Sequence, residues 1–138
     1  MKKKAIISVL SRQIGDEDEI EVLTPGLFYT KDNSYYAEYD ETSISGMEGT
    51  TTTLKINHDK FSLIRSGSTN AEMDFDKKAK SISMYNTPYG TLELKIETKK
   101  LDVNMNENGG DILIKYLLSI VGQEPMDTTL KINIKTQE

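Results

Sequence analysis

The chain has no cysteine, and that absence removes disulfides, thiolate nucleophiles and zinc–sulfur sites together. It is also the composition that a reducing cytoplasm permits. Histidine occurs once, as His58. It falls in a tight turn away from the apolar face, where a general base has neither a fixed neighbour nor a pocket. There is no Gly-x-Ser-x-Gly elbow and no glycine-rich phosphate loop, so neither an α/β-hydrolase nucleophile nor a nucleotide cradle is present. No apolar run approaches the ~20 residues that cross a bilayer as a helix. Lys2-Lys3-Lys4 before Ala5 to Leu10 imitates a secretion signal, but the run is short, contains Ser8 and is followed by Arg12. A signal needs a longer apolar stretch and a small-residue cleavage site. Basic excess is lacking too: the net charge of −5 and the pI near 5.0 leave no stripe to displace counterions from a duplex. These absences point to a cytoplasmic protein with no nucleic-acid or membrane partner.

What is present is a two-residue beat. Leu92, Leu94 and Ile96 alternate with Glu93 and Lys95; Leu130, Ile132 and Ile134 alternate with Lys131 and Asn133; Leu54 and Ile56 alternate with Lys55. Side chains on a strand point to opposite faces in turn, so the pattern describes sheet with one dry and one wet face. The low apolar share of 36% fits, because half of each such strand is polar. The segmentation predicts strands over Lys4 to Gln13, Glu17 to Lys31, Ser34 to Thr42, Thr50 to Asn57, Lys60 to Ser66, Ala71 to Asp76, Ser81 to Thr87, Thr91 to Met105, Asp111 to Val121 and Met126 to Thr136. Pro25-Gly26 suggests a bulge or corner. Asp32-Asn33 reads as a two-residue hairpin turn. The apolar phase changes between Ile96 and Leu101, which predicts a bulge near Lys99-Lys100. Every connection is hairpin-short, so the topology is a meander, and a long meander rolls up to hide its edges. The expectation is an all-β, single-domain (1–138) up-and-down antiparallel β-barrel of about 8–10 strands.

Parity then places residues on a shared wall. Across the Asp32-Asn33 turn, Phe28 and Thr30 face the same side as Tyr35, Ala37, Tyr39 and Glu41. The next loop brings Glu41 beside Thr50 and Tyr39 beside Thr52. The His58-Asp59 turn sets Phe61 opposite Ile56, Leu63 opposite Leu54 and Arg65 opposite Thr52. The apolar members define the interior, so Arg65 points inward. A buried guanidinium without partners costs several kcal/mol. It is therefore either a structural Arg65–Glu41 pair at the barrel mouth, or a polar anchor for the anionic head of a small, partly apolar ligand. On the second reading Arg65, Tyr39, Glu41, Thr52, Phe61 and Leu63 form the candidate binding site. Leu54, Ile56, Phe28, Met73 and Met84 supply further wall.

Other features carry less. Asn104, Asn106, Asn108 and Gly109 imitate the start of a calcium loop, but its twelfth position is Lys115 in place of a bidentate glutamate, so a hairpin turn is the reading. Asp16-Glu17-Asp18-Glu19 is an acidic solvated turn, and Thr50 to Thr53 is ordinary β-branched strand filling. The seven tyrosines invite a base-stacking reading, which lacks the basic groove it needs. Leu113, Leu117 and Val121 share the face opposite Ile112, Ile114 and Tyr116. A strand apolar on both sides asks for cover on both, which a second copy or a partner protein could give.

Tyr39-Asp40-Glu41-Thr42, Gly46-Met47-Glu48-Gly49-Thr50 running into Thr52 and Leu54, Arg65-Ser66-Gly67, Tyr85-Asn86-Thr87-Pro88-Tyr89-Gly90 and the stretch from Gly110 to Tyr116 stand in an order and spacing that resembles the YwiB-like proteins of Gram-positive bacteria. The resemblance covers nearly the whole chain. It implies a small intracellular barrel of the calycin (lipocalin-like) kind, a domain of unknown function with no activity to carry over. The combined expectation is a barrel without catalytic residues, metal or cofactor, binding a small anionic ligand inside. The alternative is an interaction module or homodimer using the outer wall.

Overall fold

The computed structural model describes residues 2–13, 19–42 and 48–137. The alternating segments become ten strands: β1 Lys3–Gln13, β2 Ile20–Lys31, β3 Ser34–Asp40, β4 Thr50–Ile56, β5 Lys60–Gly67, β6 Ala71–Asp76, β7 Ser81–Thr87, β8 Gly90–Asn106, β9 Gly109–Ile120 and β10 Met126–Thr136. Most of the acidic turn (16–18) and of the loop after β3 (43–47) lies outside the described residues. Among the described residues no helix is long and apolar enough to cross a membrane.

All ten strands form one antiparallel sheet in the order β6-β5-β4-β3-β2-β1-β10-β9-β8-β7. Consecutive strands are neighbours throughout, and β1 joins β10 over Ala5↔Thr136 to Gln13↔Thr128. The two ends of that order, β6 and β7, meet at a seam. Asn70 and Asn86 exchange two backbone hydrogen bonds of 2.8 Å. Below them Ser81 Oγ donates to the Asp74 carbonyl at 2.6 Å, and Ser83 Oγ donates to the Glu72 carbonyl. Serine hydroxyls thus satisfy edge carbonyls that have no ladder partner there. The result is a nearly closed barrel, which hides the sheet edges an open meander would expose.

Local chemistry explains the joints. Asp32 and Asn33 both have left-handed φ values, 52° and 65°, the pair that a type I′ hairpin requires and that Asp and Asn tolerate best after glycine. The phase change in β8 is a register shift between Thr98 and Lys100; Leu94 and Ile96 face inward before it and Leu101 after it. The expected bulge at Pro25-Gly26 does not occur. The β1–β2 register runs unbroken through Ile6↔Pro25 and Ala5↔Gly26. Pro25 is tolerated because pairing with β3 stops at Leu27↔Glu38, so β2 is an edge on that side. Gly26 is needed for space: a Cβ there would strike the Glu38 carbonyl oxygen and the Ile7 side chain.

The interior is filled from every wall. Phe75 of β6 packs edge-on against Tyr116 of β9, ring centroids 4.7 Å apart, and lies 5.8 Å from Phe61 of β5. Outside, Tyr29 and Tyr36 stack across β2 and β3 at 5.2 Å. Lys2 covers the Tyr29 ring and pairs with Glu38 at 3.2 Å, so this aromatic pair sits in mixed charge. The asparagine-rich stretch is a hairpin turn, with Asn106 Oδ1 accepting the Asn108 N–H at 2.7 Å.

Candidate functional site

Strand register assembles the site. Tyr39 pairs with Thr52, Thr52 with Arg65, Leu54 with Leu63 and Ile56 with Phe61, as parity predicts. Glu41 lies one step beyond β3, but its N–H still donates to the Thr50 carbonyl at 2.8 Å. The ladder is thereby prolonged and the carboxylate turned inward, where the residue is only 8% exposed. Thr52 Oγ1 donates to Glu41 Oε1 at 3.0 Å. The barrel end beside Arg65 is braced by the same short motifs that carry the family resemblance. Thr50 Oγ1 accepts the Thr69 N–H, and Ser68 Oγ bonds both Thr50 Oγ1 and the Glu48 carbonyl. Gly67 has a φ of 136°, and a Cβ there would collide with the Gly49 carbonyl oxygen.

Arg65 and Glu41 do not form an ion pair. The ion pairs among the described residues are Lys2–Glu38, Arg12–Glu19, Lys99–Asp127 and Lys100–Asp102, all on the surface. Arg65 Nε is buried and makes no hydrogen bond among the described residues. The guanidinium instead acts on two phenols from facing walls, Tyr39 of β3 and Tyr116 of β9.

These groups line a cavity of about 210 Å³ at this end of the barrel. Leu63, Met73 and Phe75 form one apolar wall; Val9, Val22 and Leu130 form the other, with Ser11 and Ile20 beside them. The polar lining is Arg65, Glu41, Tyr39, Tyr116 and Ser11. Of the residues proposed from sequence, Arg65, Tyr39, Glu41 and Leu63 thus meet in one cavity. Thr52 and Phe61 are fully buried behind it: Thr52 orients Glu41, and Phe61 backs Phe75. Met84 is not a wall residue, being 52% exposed. The inner phase of β7 is fixed by Ser81↔Ile96 and Ser83↔Leu94, which leaves Ile82 and Met84 outside. Hairpin parity alone does not reveal the contribution of β1, β2, β9 and β10, Tyr116 above all. Its signal was the inward parity of Ile112, Ile114 and Tyr116.

A larger cavity of about 490 Å³ lies at the opposite end, among turn residues such as Asp32, Asn33 and Asn57. His58 is there, exposed and far from Arg65. The polar groups of that end bond each other, as Ser34 Oγ does Asn57 Oδ1 at 2.8 Å.

Burial raises both cavity phenols above the ordinary tyrosine range near 10. For Tyr39 the Glu41 carboxylate adds to the effect and the Arg65 charge opposes it. Tyr116 is pushed up to about 12 by burial, against the pull of Arg65 and Thr128. Both are therefore neutral hydrogen-bond donors at physiological pH. Raised values also set an alkaline limit. Below about pH 10 both forms of the chain keep these protons; above it the unfolded chain loses them first, so stability falls by ~1.4 kcal/mol per pH unit for each tyrosine. Denaturation midpoints are expected to drop between pH 10 and 12, and tyrosinate absorbance should show two phenols ionising only with unfolding. A smooth titration of all seven tyrosines in the folded protein would contradict this.

Comparison with known proteins agrees with this architecture. A family model described as "Domain of unknown function (DUF1934)" matches residues 6–132. The chain is 32% identical over 106 residues to the uncharacterized beta-barrel protein YwiB of Bacillus subtilis (strain 168), covering 74% of this chain and 70% of that one. The crystal structure of the ywiB protein from Bacillus subtilis superposes with a TM-score of 0.81 at 25% identity, over 99% of this chain and 92% of that one. Matched by the family model along nearly its whole length, and superposing on a β-barrel relative, the chain belongs to the DUF1934 family, a domain of unknown function.

Proposed function

We propose that this protein is a non-catalytic binding barrel whose Arg65 cavity holds a small, partly apolar molecule through its carboxylate. The observation that carries the reading is the half-buried Arg65, which lines a largely apolar cavity with a buried Nε that has no hydrogen-bond partner and with no acid at ion-pair distance among the described residues. Such an arrangement costs folding energy, and it is retained where a ligand completes it. The neutral Tyr116 phenol beside the guanidinium adds a donor of the right kind. The cavity falls below the ~300–1,000 Å³ of drug-sized sites. Its occupant has on the order of ten non-hydrogen atoms, judged against the ~30 Å³ that one water takes in the liquid.

Binding has more support than catalysis. The single histidine is at the other end of the barrel, and the Glu41 carboxylate is engaged by Thr52, so among the described residues no base stands free beside a nucleophile. The cysteine-free composition supports a cytoplasmic site of action. An outer-wall partner has less support, because of the three residues that suggest it Leu113 and Leu117 are half-buried already and only Val121 is exposed.

The test is nitrogen–proton correlation NMR of the Arg65 Nε–H during titration with apolar carboxylates: hydrocinnamate, isocaproate, L-phenylalanine and L-leucine. A saturable shift with at least one of them is expected, and the affinity of that ligand, measured by calorimetry on both proteins, should fall about tenfold or more in Arg65→Met, the loss of one charge-assisted contact. If none of the four moves that resonance, the binding reading fails.

A further inference from the structure

Resting on that reading, we propose that the ligand is a zwitterion, an apolar α-amino acid whose carboxylate sits on Arg65 and whose ammonium sits on Glu41. The cavity displays one cation and one anion that are not ion-paired with each other. Glu41 is more than nine-tenths buried; among the described residues its carboxylate accepts from two neutral hydroxyls, Thr52 Oγ1 on Oε1 and the Tyr39 phenol, and has no cationic partner. A simple carboxylate would satisfy Arg65 while meeting Glu41 as a like charge, and an amine would do the reverse. At an effective dielectric of ~20, two unit charges about 4 Å apart interact by ~4 kcal/mol, so the repulsion would offset most of the attraction. A molecule carrying both charges gains at both ends and brings no net charge into a cavity whose own two charges cancel.

The remaining walls fit the rest of such a molecule. Leu63, Met73, Phe75, Val22 and Leu130 are a surface for an aliphatic or aromatic side chain. The volume suits one amino acid, and using both the ammonium and the carboxylate excludes a residue within a longer peptide.

Three probes of one shape separate the possibilities: L-phenylalanine, hydrocinnamate (no ammonium) and phenethylamine (no carboxylate). They are titrated into the full-length protein by calorimetry, with the Arg65 Nε–H followed in parallel. L-phenylalanine is expected to bind at least about tenfold tighter than either truncated analogue, a difference of ~1.4 kcal/mol. Glu41→Gln should abolish its advantage over hydrocinnamate while the Arg65 shift persists. The glutamine oxygen can still accept from Thr52, and the ranking on the wild-type protein stands whatever that variant does. Hydrocinnamate binding as tightly as L-phenylalanine, or an advantage that survives Glu41→Gln, overturns the zwitterion and leaves the carboxylate reading standing. An Arg65 resonance unmoved by every carboxylate probe overturns both.

Discussion

Phe75→Ala is expected to lower the free energy of unfolding by about 3–5 kcal/mol and to enlarge the cavity in the same step. Phe75 is fully buried and touches the three parts of the structure that matter here. It pairs with Phe61 across β5 and β6, meets Tyr116 edge-on from the facing wall and lines the Arg65 cavity. Each aromatic pair adds roughly 0.5–1.5 kcal/mol beyond burial. The surroundings cannot collapse into the gap, because the walls are hydrogen-bonded ladders and β6 is held to β7 by the Asn70–Asn86 exchange and two serine bonds. The lost ring therefore becomes empty apolar volume joined to the existing cavity, and an apolar hole of that kind binds benzene or indole. Urea denaturation measures the loss, and added indole should restore part of the stability of Phe75→Ala while leaving the wild type unchanged. Phe28→Ala is the control. Phe28 is as deeply buried but stacks on Tyr35, outside the Arg65 cavity, so it should lose similar stability without altering ligand binding there. A cost below about 1 kcal/mol for Phe75→Ala would contradict the packing described, since even one buried methylene is worth ~0.8 kcal/mol.

How far the sequence could be read depended on how local the determining contact was. Hairpin turns set register over a few residues. The Asp32-Asn33 turn and the bend at His58-Asp59 were therefore enough to align β3, β4 and β5 and to place Arg65 opposite Thr52. The β8 bulge was legible because a phase change leaves its trace in the apolar residues themselves. The β1–β10 join is the opposite case. It links the two ends of the chain, no turn specifies it, and without it the wall of Val9, Leu130 and Tyr116 could not be set facing Arg65. Met84 was misplaced for a physical reason. At the seam, serines take the inner phase of β7 and their hydroxyls bond β6 carbonyls, so the apolar-inside rule reverses for that strand. Parity also gives the face a side chain leaves from but not where its end arrives. It could place Arg65 and Glu41 on one wall, and it could not show that they stay apart.

Arg65→Met is expected to raise stability by about 1–2 kcal/mol while weakening the binding proposed above about tenfold or more. The two roles considered for Arg65 predict opposite signs, which gives the substitution its force. Removing one partner of a buried ion pair costs about 3–5 kcal/mol because the other is stranded; exchanging buried charge for well-packed apolar groups is often neutral or stabilising by about 1–4 kcal/mol. Among the described residues Arg65 has no acid in contact, and Glu41 keeps its bond from Thr52, so none of them is stranded. Methionine is unbranched and pliable, suited to the space between Leu63, Met73 and Phe75. The guanidinium holds the Tyr39 and Tyr116 phenols below where burial alone would put them, so both should ionise at still higher pH in the variant. A cycle with Glu41→Gln completes the measurement: two charges that line one cavity and share Tyr39 without touching should couple, but by less than the ~3–5 kcal/mol that breaking a buried contact pair costs. A loss of about 3 kcal/mol or more in Arg65→Met, with strong coupling to Glu41, would make the guanidinium a structural element and leave the cavity without its anchor.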